Sequence, residues 1–184
     1  GTGTAPVLCE MAKNLKATAV GVFTLPLEAG RRDGDGGRES QIDIETLVKA
    51  ANTSILLDAN RVLEMAPELS AEQAFSVIDQ VVAEIIKGIV ETITQTSLIN
   101  LDFADVRTIM SNGGLSAALV GEADSEDGAE EVVLSALKST MLDMDMKKAT
   151  GCLLHITGGR DLTLKKAATI AGALTGELAP KANV

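Results

Sequence analysis

One run of residues constrains the chain more than any other. Ser70-Ala-Glu-Gln73 has capping-box form, in which a serine hydroxyl and a glutamine side chain satisfy each other's backbone N–H groups at a helix start. Behind it Ala74, Ile78, Val81, Val82, Ile85, Ile86, Ile89, Val90 and Ile93 recur at helical spacing to about residue 95. At 1.5 Å per residue such a helix spans on the order of 35 Å, the width of a domain. Its apolar arc is wide, which predicts burial between two layers. A central helix joining two subdomains fits that better than a surface helix.

The flanks support this division. Thr4-Ala5-Pro6 reads as a helix start, with a capping Thr and Pro in the first turn. Val7, Leu8, Met11 and Leu15 follow at helical spacing. ATAVGVFTLP (17–26) and TSILLD (53–58) are continuous apolar runs, expected as strands buried on both faces. Between them lie a charged, glycine-rich loop, EAGRRDGDGGRES, and a short helix over 41–51. This alternation implies an α/β fold with a parallel sheet. After the long helix the pattern restarts. TSLINLDFADVRTIM holds a loop and a short helix, and LSAALVG (115–121) reads as a strand. The acidic turn EADSEDG precedes a helix to about Lys138, and GCLLHIT (151–157) reads as a strand. A helix over 161–175 follows the Gly158-Gly159 turn, and a further strand begins in LAPKANV. Residues 1–95 and 96–184 are therefore read as two units.

Composition removes several function classes. The chain has 184 residues, a net charge of −10 and a pI near 4.6, the wrong sign for a nucleic-acid binder. Aromatics are 2%, with no Trp or Tyr, poor material for base-stacking platforms. No stretch approaches the roughly 18 apolar residues of a membrane span, so no direct membrane insertion is expected, nor a signal peptide. Cys9 and Cys152, far apart, read as small core residues, and no zinc site is expected. His155, the single histidine, sits in an apolar run and reads as a strand residue rather than a catalytic base.

Two short motifs carry chemistry. In GTGTAPV, glycines allow close backbone approach to phosphate, and the following helix start offers free N–H groups. Alone, a GxG is weak and equally fits a flexible terminus. In Asn100-Leu-Asp102-Phe-Ala-Asp105, Asp102 is placed to cap the next helix. Asp105, three residues on, shares its helical face. Two carboxylates beside an Asn amide can orient and polarise a water for attack on phosphorus.

Here a family resemblance emerges. SLINLDFADVRTIMSNGG strongly resembles the synergy loop of FtsZ, the prokaryotic tubulin homologue. GTGTAPV resembles the end of that family's signature motif GGGTGTG, and ATAVGVFTLP the strand after it. NRVLEM (60–65) and AFSVIDQVV (74–82) resemble its nucleotide-side elements, and LLHITGGRDLTL a segment of its C-terminal subdomain. The segments keep the family's order over essentially the whole chain, with an archaeal flavour.

The resemblance implies a tubulin/FtsZ-like fold: part of a Rossmann-like GTPase sheet, joined by the central helix to an α+β C-terminal subdomain. It implies GTP or GDP as nucleotide, with Mg2+ accompanying it. Gly1, Thr2 and Gly3 match the part of the signature motif that wraps the phosphates. Arg31 or Arg32 stands where the family has a basic residue near phosphates and ribose, and Asn60 matches its ribose-side asparagine. Phe75 and Asp79 match the pair that stacks on guanine and accepts its N–H groups. Asn100, Asp102 and Asp105 match the synergy loop, which in the family completes the active site of the next subunit in a head-to-tail filament. Implied partners are other copies of the chain, with cell-division proteins and membrane tethers acting through segments outside it. The implied location is the cytoplasm at the division site. Because the chain begins inside a motif, a piece of a longer polymerising GTPase is expected, with negligible GTP turnover by the isolated chain. The alternative is a stand-alone, non-hydrolysing module that binds or caps such filaments. A fold relative using another nucleotide is disfavoured by Phe75, Asp79 and an intact NLDFADV.

Overall fold

The computed structural model describes residues 4–25, 44–96, 101–111, 114–124 and 128–184. Gly1, Thr2, Gly3, Arg31, Arg32 and Asn100 lie outside the described residues. In chain order the elements are α1 (Ala5–Asn14), β1 (Val20–Leu25), helical residues 44–50 (α2), β2 (Thr53–Asp58) and α3 (Ala59–Met65). There follow α4 (Ala71–Thr94), α5 (Phe103–Ser111), β3 (Leu115–Ala117), α6 (Ala129–Lys138), a 3-10 turn at Met146–Lys148 and α7 (Leu164–Thr175).

The three strands form one parallel sheet in the order β1-β2-β3. β2 is central, and Thr53 through Leu57 are all buried, as a continuous apolar run requires when both faces and both edges are covered. β1 pairs with β2 from Val20↔Thr53 to Leu25↔Asp58. The start of this register is tied by Asn52: its N–H donates to Ala19 O at 2.8 Å, and its Oδ1 accepts from Ala19 N–H at 2.9 Å. β1 itself is only half-buried, short of the two-sided burial expected, because it forms an edge of the described sheet.

The capping box forms as expected. Ser70 Oγ accepts from Gln73 N–H at 3.2 Å, and Gln73 Oε1 accepts from Ser70 N–H at 2.8 Å. α4 then runs for 24 residues, about 36 Å. Ala74, Ile78 and Val81 pack with Ile55, Leu57, Val62, Ala118 and Met141 into the first core. That core and the sheet both draw on residues on either side of position 95, since Ala118, Met141 and β3 follow α4 in sequence. The expected two-sided burial holds only along one stripe: Ile86, Val90 and Ile93 are exposed by 41–51%. A second core joins Val133 of α6 to Ile170 and Leu174 of α7.

Other expectations need correction. Thr4 makes no side-chain cap and already has helical backbone angles, though Pro6 does occupy the first turn. α1 buries none of its residues, and Val7, Leu8, Met11 and Leu15 are exposed. The 115–121 strand ends at Ala117. Residues 151–157 form no regular strand: the one rung is a parallel bridge between Gly151 and Asn183, with Cys152 N–H donating to Asn183 O at 2.8 Å. A strand is defined by its partner, and apolar alternation alone cannot supply one. The alternation itself survives, because Cys152, Leu154 and Ile156 all pack on the second core.

Two glycines make opposite predictions. A Cβ on Gly121 would strike the Val132 carbonyl and lie 2.7 Å from Ala136 Cβ, so this glycine lets the segment after β3 approach α6. Gly88, inside α4, has ordinary contacts at 3.5–3.6 Å. Urea unfolding is expected to show Gly121→Ala costing roughly 1–3 kcal/mol. Gly88→Ala is expected to gain up to about 1 kcal/mol from helix propensity.

Candidate functional site

The first group of site residues lies where β2 hands over to α3. Asp58 is the last residue of the strand and caps α3: its Oδ1 accepts from Asn60 N–H at 2.9 Å and from Asn60 Nδ2 at 2.8 Å. Asp58 is fixed in turn by its N–H, which donates to Met141 O at 2.8 Å. One carboxylate therefore both starts the helix and orients the Asn60 side chain. Its role was missed in the sequence; the available signal was an acidic residue at a strand-to-helix junction, a helix N-cap pattern.

Phe75 and Asp79 lie one turn apart near the start of α4, both exposed, and both on helix positions flanking the buried Ala74–Ile78 stripe. Phe75 is 44% exposed, enough to offer a ring face. The Asp79 carboxylate is an acceptor only. α3 and this end of α4 pack together through Val62, Ala74 and Ile78, so Asn60, Phe75 and Asp79 are carried by touching elements.

The second group lies elsewhere. Asp102 precedes α5, and its Oδ1 accepts from Ala104 N–H at 3.3 Å, the capping contact expected for it. Asp102 O also accepts from Asp105 N–H at 3.0 Å. Asp102 and Asp105 are both exposed in the opening turn, one turn apart. The far end of α5 is anchored at the beginning of β2, where Thr53 Oγ1 donates to Met110 O at 2.7 Å.

The two groups sit at opposite ends of the same scaffold. Asn60 follows the C-terminal end of β2, while α5 docks at its N-terminal end, six residues or about 20 Å away. Along α4, Phe75 and Thr94 are separated by about 28 Å of helix, with the acidic turn following the far end. The structure thus places Asn60 on a helix packed against the one that carries Phe75 and Asp79, and keeps Asp102 and Asp105 apart from them.

Cys152 is half-buried against the second core, and desolvation there pushes its thiol pKa up, consistent with a packing residue rather than a reactive one. His155 is no strand residue: it reaches α4 through Glu91 and Thr92. Among the described residues no helix is long and apolar enough to cross a membrane, and no group of three or more His, Cys, Asp or Glu is placed to hold a metal ion.

Comparison with known proteins places the chain in a family. Residues 114–184 match the family model described as FtsZ family, C-terminal domain. The cell division protein FtsZ 2 of Haloferax volcanii is 47% identical over 184 residues, covering all of this chain and 45% of that protein. FtsZ 2 of Methanocaldococcus jannaschii is 44% identical over 187 residues, covering all of this chain and 48% of that protein. A solved FtsZ dimer, empty, from M. jannaschii superposes with a TM-score of 0.89 at 39% identity, over all of this chain and 53% of that one. The chain therefore spans about half the length of the relatives it matches. Its α/β fold is the tubulin/FtsZ-like one, and from end to end it is an archaeal-type FtsZ sequence, with the family's C-terminal domain over residues 114–184.

Proposed function

We propose that this chain is the working middle of a cell-division GTPase that assembles head to tail, with nucleotide held on one copy and water activated by the next. The observation that carries this is the separation of Phe75 and Asp79 from Asp102 and Asp105 by the length of α4. A purine-binding surface and an acidic pair at opposite ends cannot serve one nucleotide within one molecule. Stacked head to tail they meet, and such a heterologous contact generates an open filament. The M. jannaschii relative is itself described as a dimer.

Each side chain then has a defined task. The Phe75 ring stacks on the base. Asp79 accepts from the N1–H and 2-amino groups of guanine; adenine lacks this donor edge. Asn60, oriented by Asp58, lies on the ribose side. Gly1, Thr2, Gly3 and one of Arg31 or Arg32 face the phosphates. From the neighbouring copy, Asp105 accepts a hydrogen bond from water and takes its proton as the new O–P bond forms and GDP leaves from the γ-phosphorus. Asp102, held by the Ala104 N–H, adds a second negative charge that orients the water, beside the Asn100 amide. Mg2+ bound to the phosphates would offset the charge developing on the leaving oxygen. Action at the cytoplasmic division site, with division proteins and membrane tethers as further partners, completes the proposal.

The test uses a chimera in which these residues replace the matching segment of a full-length archaeal relative. Asp105→Ala is expected to spare GTP binding and abolish hydrolysis. Asp102→Asn keeps an equally good helix cap and should still slow turnover, separating charge from folding. Mixing the Asp105→Ala chimera with one carrying Asp79→Asn should restore hydrolysis, because mixed contacts pair an intact base site with an intact acidic pair. Loss of binding in Asp105→Ala, or no recovery on mixing, would overturn the proposal. In a competition assay, Asp79→Asn should also erode the preference for GTP over ATP by about two orders of magnitude or more, part of the roughly 10⁴–10⁵-fold discrimination that a site built to hydrogen-bond its substrate supplies.

A further inference from the structure

The helix behind the acidic turn carries a side that the proposed hydrolysis leaves unused. Phe103, Val106 and Met110 stand at positions i, i+3 and i+7 of α5, which puts them on one stripe of the helix. Val106 and Met110 are buried, while Phe103 is 54% exposed. The stripe is thus covered along the later turns and bare in the first. Arg107, one turn after Phe103, is exposed on the same side. It makes no ion pair or side-chain hydrogen bond among the described residues. Asp105, two positions after Phe103, falls on the other side of that turn. The opening of α5 therefore offers an aromatic ring and an unpaired cation on one side and a carboxylate on the other.

The opposite end of the scaffold carries the complement. β3 runs parallel to β2, so the chain leaves both strands at the same end, that of Asp58 and Asn60. An open cleft of about 770 Å³ lies there between Met65, the last residue of α3, the segment that follows β3, and one side of α6. Met65 is 44% exposed and gives the cleft an apolar wall. Glu122, Asp124 and Glu131 line it together with one cation, Lys138, which leaves it negative. Met65 is five residues beyond Asn60 on α3, about 8 Å of helix, so the cleft adjoins the ribose side of the nucleotide surface.

We propose that the first turn of α5 of one copy docks in this cleft of the next copy, with Phe103 against Met65 and Arg107 among the carboxylates. The inference rests on the head-to-tail reading and names a contact that holds it together. The two surfaces match in kind: a ring meets a thioether, and a guanidinium meets carboxylates. Aromatic residues, Met and Arg are also the side chains enriched at protein interfaces. They cannot meet within one molecule, because they lie at opposite ends of β2. The tip of α5 then sits between the cleft on one side and the nucleotide on the other, with Asp105 turned toward the latter. Phe103 and Arg107 are positioning residues: they seat Asp102 and Asp105 over the neighbour's phosphates and take no part in the proton transfer.

The test follows assembly of the full-length chimera by sedimentation in GTP, with the critical concentration as the measure. Phe103→Ala, Arg107→Glu and Glu122→Arg are each expected to raise it about tenfold or more while GTP binding stays unchanged. All three side chains are exposed, so the unassembled copies are expected to melt with the parent. Mixing decides the matter. Arg107→Glu and Glu122→Arg copies fail separately, but an alternating filament restores opposite charges at every contact. The mixture is therefore expected to assemble near the parent's critical concentration. This arm stands even where Phe103→Ala folds poorly. A critical concentration unmoved by Arg107→Glu, or no rescue on mixing, overturns the docking and assigns this side of α5 to another partner. If the Asp105→Ala and Asp79→Asn mixture still recovers hydrolysis in that case, head-to-tail stacking stands and this contact alone is wrong.

Discussion

Parallel pairing on both edges of β2 is the constraint from which the rest follows. A strand hydrogen-bonded to β1 on one side and β3 on the other, with Thr53 through Leu57 buried, must have both faces covered. Parallel neighbours must also be reached by crossover segments rather than hairpins. The connection from β2 to β3 contains α3, α4 and α5, so the long helix is part of a crossover. Its Ala74–Ile78–Val81 stripe covers the sheet through Ile55 and Leu57. The same crossover carries Asn60 near one end of β2 and brings α5 back to the other.

That arrangement turns a folding requirement into a structural polarity. A parallel sheet has two chemically different ends, with all strands pointing the same way. Residues that leave β2 at its C-terminal end and residues that re-enter at its N-terminal end are separated by strand length, whatever their chemistry. Asp102 and Asp105 are therefore kept apart from Asn60, Phe75 and Asp79 by topology rather than by local contacts. A reaction that needs both must recruit a second copy.

Local signals were legible and partner-dependent ones were not. The Ser70–Gln73 box, the α4 periodicity and the Asp102 cap could be read directly, since each needs only residues within a few positions. The apolar run of β2 was also clear, because full burial leaves no polar alternation to misread. Thr4 looked like a cap, but its backbone is already helical and its side chain makes no capping bond. Segment 151–157 had the composition of a strand and found only the Gly151–Asn183 rung. The roles of Phe75 and Asp79 came through family resemblance; spacing showed only that they share a helix face. Asp58 and His155 act through Asn60, Met141, Glu91 and Thr92. Of these, only Asn60 is close in sequence, which is why the His155 contacts left no local trace.

The Asn52–Ala19 pair has a consequence for how this sequence can vary. Both of its hydrogen bonds lie at the beginnings of β1 and β2, so the register of the two strands is locked before either strand has run its course. The entropic cost of closing a connection between them rises only slowly with its length. Insertions and deletions between Leu25 and the helical residues 44–50 are therefore tolerated by the sheet.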